Sequence, residues 1–154
     1  MQDQFTIREV IEQAIQTEKL GYQFYTTMAE RFRQDKGLYS LFTTLADKEV
    51  QHEKTFIELM ETIGDGMEEG WEEVSLYLRA FVESEFFLGK EKALPSMQNI
   101  KTIDDAVRYA ISFEKETLLY FYGIRDSVRE KDVIDEIINE EKSHIRWLVA
   151  FKYK

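Results

Sequence analysis

"EEKSHIRWL", residues 140–148, sets a glutamate three places before a histidine within an otherwise apolar helical stripe. The chain of 154 residues has only two histidines, and the other repeats the arrangement. In "KEVQHEKTF", residues 48–56, Glu49 precedes His52 by three. Side chains three apart project from one helix face. Each stretch therefore presents a carboxylate and an imidazole in one direction.

The surrounding chain reads as four long helices. Thr6 with Glu9 has the spacing of a capping box, so the first helix starts at Thr6 and runs to "RQDKG", near Gly37. A second follows over about 38–63 and stops at "GDG", 64–66. A third bundle helix starts near Thr102, and a fourth covers roughly 130–152 with a turn inside "DSVREKD". Apolar residues recur along each at helical spacing, and no strand pattern appears. Between the pairs, about 65–101, lies a crossover in which "WEEVSLYLRAFVESEFF" reads as an amphipathic helix and "GKEKALPSMQN" as loop. The expected fold is all-α: one domain over 1–154, a four-helix bundle of two hairpins joined by a long, partly helical crossover.

The hairpins repeat. "TIREVIEQAIQTEK" (6–19) and "TIDDAVRYAISFEK" (102–115) are identical at six of fourteen positions, and each carries a glutamate twelve residues after its start, Glu18 or Glu114. Glu49/His52 and Glu141/His144 lie on the helices that follow. All four glutamates fall in apolar seams. Glu18 is seven after Ile11 and seven before Tyr25; Glu49 is four after Leu45 and seven before Phe56. Glu114 is four after Ala110 and seven before Phe121; Glu141 is four after Ile137 and seven before Leu148. Uncompensated charge at such positions is very costly. No lysine or arginine in the seams balances it. Two divalent metals would, with both imidazoles completing the coordination. A carboxylate-rich set with one imidazole per metal suits iron or manganese.

Composition narrows the rest. There is no cysteine, which excludes disulfides, thiolate nucleophiles and thiolate-bound metals. A net charge of −10 disfavours nucleic acid and anionic lipid as partners. No apolar run is long enough to span a membrane, and the N-terminus has no signal-peptide pattern, so the expected location is the cytoplasm.

With these residues in place, the chain resembles the ferritin-like superfamily, in its rubrerythrin and bacterioferritin branches. The resemblance spans nearly all four bundle helices and rests on Glu18, Glu49-x-x-His52, Glu114 and Glu141-x-x-His144. It implies a diiron carboxylate site of two iron ions, bridged by Glu49 and Glu141 with Glu18 and Glu114 terminal, which reacts with hydrogen peroxide or dioxygen in oxidative-stress defence. It also implies a role beside the metals for Tyr25, which matches a family tyrosine, and more weakly for Tyr122. Three departures matter. Lacking the family's four-cysteine iron domain, the chain needs a separate electron-donor protein of rubredoxin-like kind. Thr117 stands where rubrerythrins carry an extra glutamate, so the set looks like the six-ligand bacterioferritin type. Little follows the fourth helix, which argues against a ferritin shell, and Val50 replaces the haem-ligating methionine.

The first expectation is a diiron peroxidase or oxidase, and a homodimer, because the crossover carries more apolar surface than one side of the bundle needs. A ferroxidase or iron-handling protein is the alternative on the same site. An organic-substrate oxygenase would need an apolar pocket beside the irons. A metal-free interaction module is the reading without chemistry. Glu53, Glu116 and Glu140, which adjoin the proposed ligands, are read as solvated helix face.

Overall fold

The computed structural model describes residues 6–63, 71–82 and 99–153. Among these residues there are five helices and no strand: α1 (Ile7–Arg31), α2 (Lys36–Thr62), α3 (Trp71–Val82), α4 (Ile103–Arg125) and α5 (Lys131–Lys152). The expected stop at 64–66, the end of the crossover helix beyond residue 82 and all of the expected loop but Asn99 lie outside the described residues.

Local chemistry sets the helix starts. The Thr6 hydroxyl accepts from the Glu9 amide, the half of the expected capping box that forms here. The complete box is at α4, where Thr102 accepts from the Asp105 amide and Asp105 accepts from the Thr102 amide. Asp35 caps α2 by accepting from the Leu38 amide. That cap moves the first break upstream of the expected place: α1 ends at Arg31, and Gly37 lies inside the first turn of α2. α5 has no side-chain cap. Instead, Lys131 Nζ donates to the Arg125 and Val128 carbonyls and closes the α4–α5 turn.

Short connections make α1–α2 and α4–α5 antiparallel hairpins, and these two pairs hold the most extensive helix contacts. α3 lies against α4, where Gly123 leaves room for Leu78 and Tyr77. The Tyr77 hydroxyl donates to the Leu119 carbonyl. Across the hairpins, the buried Tyr120 hydroxyl donates to the Val10 carbonyl and ties α4 to α1.

The core is split in two. One apolar cluster takes the N-terminal half of α1, the C-terminal halves of α2 and α4, and the N-terminal half of α5, around Ile11, Phe56, Phe121 and Ile138. The other takes the opposite halves, around Phe24, Phe42, Val107 and Leu148. Between them, on all four bundle helices, lies a layer of buried carboxylates and imidazoles. No helix among the described residues is long and apolar enough to cross a membrane.

Candidate metal centre

Six residues form the layer: Glu18 on α1, Glu49 and His52 on α2, Glu114 on α4, and Glu141 and His144 on α5. Each is at most 2% exposed. The heptad logic accounts for this, since each glutamate is flanked along its helix by apolar residues of both core clusters and must point inward with them.

The six side chains fall into two groups of converging donor atoms. Glu18, His52 and Glu141 make one; Glu49, Glu114, Glu141 and His144 make the other. Within each group the atoms lie within 4.8 Å of one another. Glu141 belongs to both, the position a bridging carboxylate would hold. The expected second bridge, Glu49, joins only the Glu114/His144 group and abuts Glu18 through its carboxyl. His52 Nδ1 lies 3.0 Å from Glu141 Oε1 and 3.7 Å from Glu18 Oε1. His144 Nδ1 lies 3.6 Å from Glu141 Oε2 and 3.9 Å from Glu114 Oε2. The two rings stack with centroids 5.7 Å apart.

Among the described residues, both oxygens of Glu18 and Glu141, one each of Glu49 and Glu114, and Nδ1 of both histidines are buried without completing a hydrogen bond to a well-placed partner. Native interiors carry few such atoms. Here they all face one another, and the set is oxygen-rich with two imidazoles. That donor chemistry fits two divalent cations of the iron or manganese kind.

Without cations, protons carry the balancing charge. Burial raises Glu18 well above the ordinary carboxylate range, against a hydrogen bond from Glu49 that lowers it, with Glu141 and Glu114 adding to the rise; burial, then Glu18, raises Glu49 likewise. Burial, then Glu141, pushes Glu114 up to about 8. Burial opposes the charged forms of both histidines, but the adjacent carboxylates win: Glu141 foremost raises His52 to about 9, and Glu114 with Glu141 raises His144 to about 10. Burial also opposes charge on Glu141, yet contacts with Glu114, His144 and His52 hold it well below the usual range.

Tyr25 reaches this layer. Its buried hydroxyl donates to Glu114 Oε1 at 2.6 Å, and burial followed by the Glu114 charge raises its pKa well above that of a free tyrosine. Tyr122 does not reach it. It is 37% exposed on the outer side of α4, lines a surface cavity with Tyr77 and Asp126, and has Lys142 over its ring. By the hairpin repeat, the counterpart of Tyr25 is Phe121, one residue earlier, which has no hydroxyl.

Two further residues at the centre carry no mark in the apolar seams. Glu140 is not simply solvated: its Oε2 lies 2.7 Å from His52 Nε2, so it holds the ring from the side opposite the cluster. Comparing the hairpins offers a hint, because Glu140 has Lys48 as its counterpart. Gly21 makes room. A Cβ there would stand 2.5 Å from Glu49 Oε2 and 3.0 Å from Phe113. Its place three after Glu18, on the same face, is the only sequence cue.

No curated protein sequence matches the chain. Among solved structures, the chain is similar to a Thermotoga maritima protein described as a ferritin-like diiron-carboxylate protein, with a TM-score of 0.72 and 24% identity. The match covers 100% of this chain and 99% of that one. At that identity it establishes the ferritin-like fold and no more. The Rubrerythrin family model matches residues 9–152. That span contains all five helices apart from the first turn's opening residues and every member of the buried layer, so the chain belongs to the rubrerythrin family.

Proposed function

We propose that this chain is a non-haem diiron carboxylate oxidoreductase that reduces hydrogen peroxide, or dioxygen, in the cytoplasm as a defence against oxidative stress. Glu18, Glu49, His52, Glu114, Glu141 and His144 would hold two iron ions. The observation that carries the reading is the pair of buried donor groups sharing Glu141, with a tyrosine hydroxyl bonded to one of them.

When bound, two ferrous ions would supply the two electrons that, with two protons, take hydrogen peroxide to two waters. The chain's own residues do the rest. The apolar clusters above and below the layer exclude bulk water and strengthen each charge interaction inside. Glu140 fixes the His52 ring so that Nδ1 faces the layer. Tyr25 holds a proton on its hydroxyl, aimed at Glu114 Oε1, and places a donor beside the reacting region. Electrons for the next turnover come from a separate donor protein, since these 154 residues include no cysteine that could hold an iron relay. The active unit is a homodimer, a reading supported by Leu76 and Tyr77, which leave apolar surface exposed on α3.

A second reading, ferroxidase activity with iron itself as substrate, is favoured by one feature. Glu53 and Glu140 are partly exposed carboxylates beside Glu18 and His52, a charged approach to the layer from solvent. Iron per chain, followed by peroxide consumption under a chemical reductant, tests the first reading. About two irons per chain and catalytic peroxide loss support it. Continued ferrous oxidation with growth of a mineral, and no peroxide turnover, would favour the second. A chain that takes up no metal after anaerobic reconstitution would sink both.

A further inference from the structure

The two donor groups are built on related hairpins, yet their surroundings differ at two places that touch the donors. His52 has both nitrogens engaged: Nδ1 faces Glu141 and Glu18, and Nε2 meets the Glu140 carboxylate at 2.7 Å. A carboxylate on the outer nitrogen fixes the tautomer and makes the inner nitrogen a stronger donor to a cation. His144 has no such support. Among the described residues its buried Nε2 meets no hydrogen-bond partner, and its neighbour is the Trp147 ring, 5.4 Å away between centroids.

The terminal carboxylates differ in the same sense. Glu114 Oε1 already accepts the Tyr25 hydroxyl, which draws charge from that oxygen. Among the described residues no tyrosine hydroxyl and no N–H group completes a hydrogen bond to either oxygen of Glu18, whose carboxyl abuts that of Glu49. Both differences trace to the repeat. The counterpart of Tyr25 is Phe121, so Glu18 lacks the tyrosine hydroxyl that Glu114 has. The counterpart of Glu140 is Lys48, one place before Glu49, so the first hairpin carries a cation at the position from which the second hairpin's glutamate supports a histidine.

We propose that the two metal positions are inequivalent and fill in order, the Glu18/His52 position first, with Glu140 strengthening that position and Lys48 withholding the same support from His144. This rests on the dinuclear reading above. Glu140 and Lys48 act through the histidines, as positioning residues, and neither is a ligand. At one metal per chain, the ion resides with Glu18 and His52. The second position fills only at higher metal activity, and a chain exposed to two kinds of cation can hold one of each.

The test is titration of metal-free protein with Co(II), followed by calorimetry and by the visible absorption of the bound ion. The native chain should bind in two resolved steps, the first tighter by roughly 10–100-fold, the range expected when a partner behind a ligating histidine is present or missing. Crystals grown with one equivalent should place the cobalt, by anomalous scattering, between Glu18 and His52. Glu140→Gln should weaken the first step and draw the two together. Lys48→Glu should tighten the second step and leave the first in place, and Lys48→Ala should tighten it less. Two native steps of equal intrinsic affinity, or a second step indifferent to Lys48→Glu, would overturn the proposal while leaving the dinuclear centre intact. No Co(II) binding by the native chain would overturn the centre itself and this inference with it.

Discussion

The Tyr25 hydroxyl donates a 2.6 Å hydrogen bond to Oε1 of Glu114, a residue 89 positions away on the other hairpin. It joins α1 to α4 inside the layer, away from bulk solvent. Both the donor and the acceptor are fully buried.

Tyr25→Phe should therefore cost stability even in metal-free protein. The change leaves a buried acceptor unpaired, worth about 1–3 kcal/mol, while the ring contacts with Phe24 and Phe42 survive. Metal content should hold, because Tyr25 is not a ligand, and peroxide turnover should fall. Urea unfolding of the metal-free variant is the check. An unchanged midpoint would show that the bond contributes nothing.

Gly21→Ala separates stability from metal binding in the opposite way. Alanine in a helix interior is favoured over glycine by about 1 kcal/mol, but the new Cβ would stand 2.5 Å from Glu49 Oε2. Glu49 must swing away, and Phe113 leaves little slack at 3.0 Å. The metal-free variant should remain folded at near-native or slightly higher stability and lose roughly tenfold or more in metal affinity. Full native affinity would mean that the carboxylate moves without consequence.

The metal-free protein should lose stability as pH rises from about 6 to 10. His52 and His144 hold protons up to about 9 and 10 in the folded chain, against about 6.5 unfolded, so each contributes fully below 6.5 and loses that contribution through 9–10. Glu114, raised to about 8, also binds its proton more tightly when folded; its cost begins above about 4.5 and is complete above 8. Glu141 runs the other way, but its depressed pKa matters only below about 4.5, where its stabilisation is lost. Bound cations displace these protons, so the metal-loaded form should lack the alkaline decline. Thermal melts of both forms across this range measure it. A metal-free melting temperature that is flat or rising would contradict the protonation pattern.

Much of this was legible in one dimension because burying a charge forces a repeating pattern. Glu18, Glu49, Glu114 and Glu141 stand where the heptad demands apolar residues, and two histidines three places beyond two of them leave few other readings. The bundle and its two hairpins follow from the same seams. Relations between helices were less legible. Tyr25 and Tyr122 both lie near a seam, but a rotation of about 100° per residue around the helix puts Phe121 inward and Tyr122 outward. Glu140, one step round α5 from Glu141, points toward α2, and only the packed pair of hairpins shows that His52 waits there. The end of α1 shifted because the Asp35 cap outweighed the glycine two residues on.

Glu141 and Glu18 make the sharpest contrast among the six. Glu141 reaches both donor groups, whereas Glu18 reaches one. Glu141→Ala should thus abolish binding of both metals, and Glu18→Ala should leave one, with Glu49, Glu114, Glu141 and His144 still converging. In metal-free protein the two changes should differ again. Removing Glu18 takes out a buried acid that holds its proton in the metal-free chain, so no charge is left unpaired and the cost should be the smaller one of a buried cavity. Removing Glu141 takes away the carboxylate that faces both histidines, which leaves buried imidazolium charge uncompensated and should destabilise the fold by about 3–5 kcal/mol. Metal content by elemental analysis, paired with urea unfolding after chelation, reads both effects. If Glu18→Ala lost both metals, or Glu141→Ala kept one, Glu141 would not be the residue on which the two positions are joined.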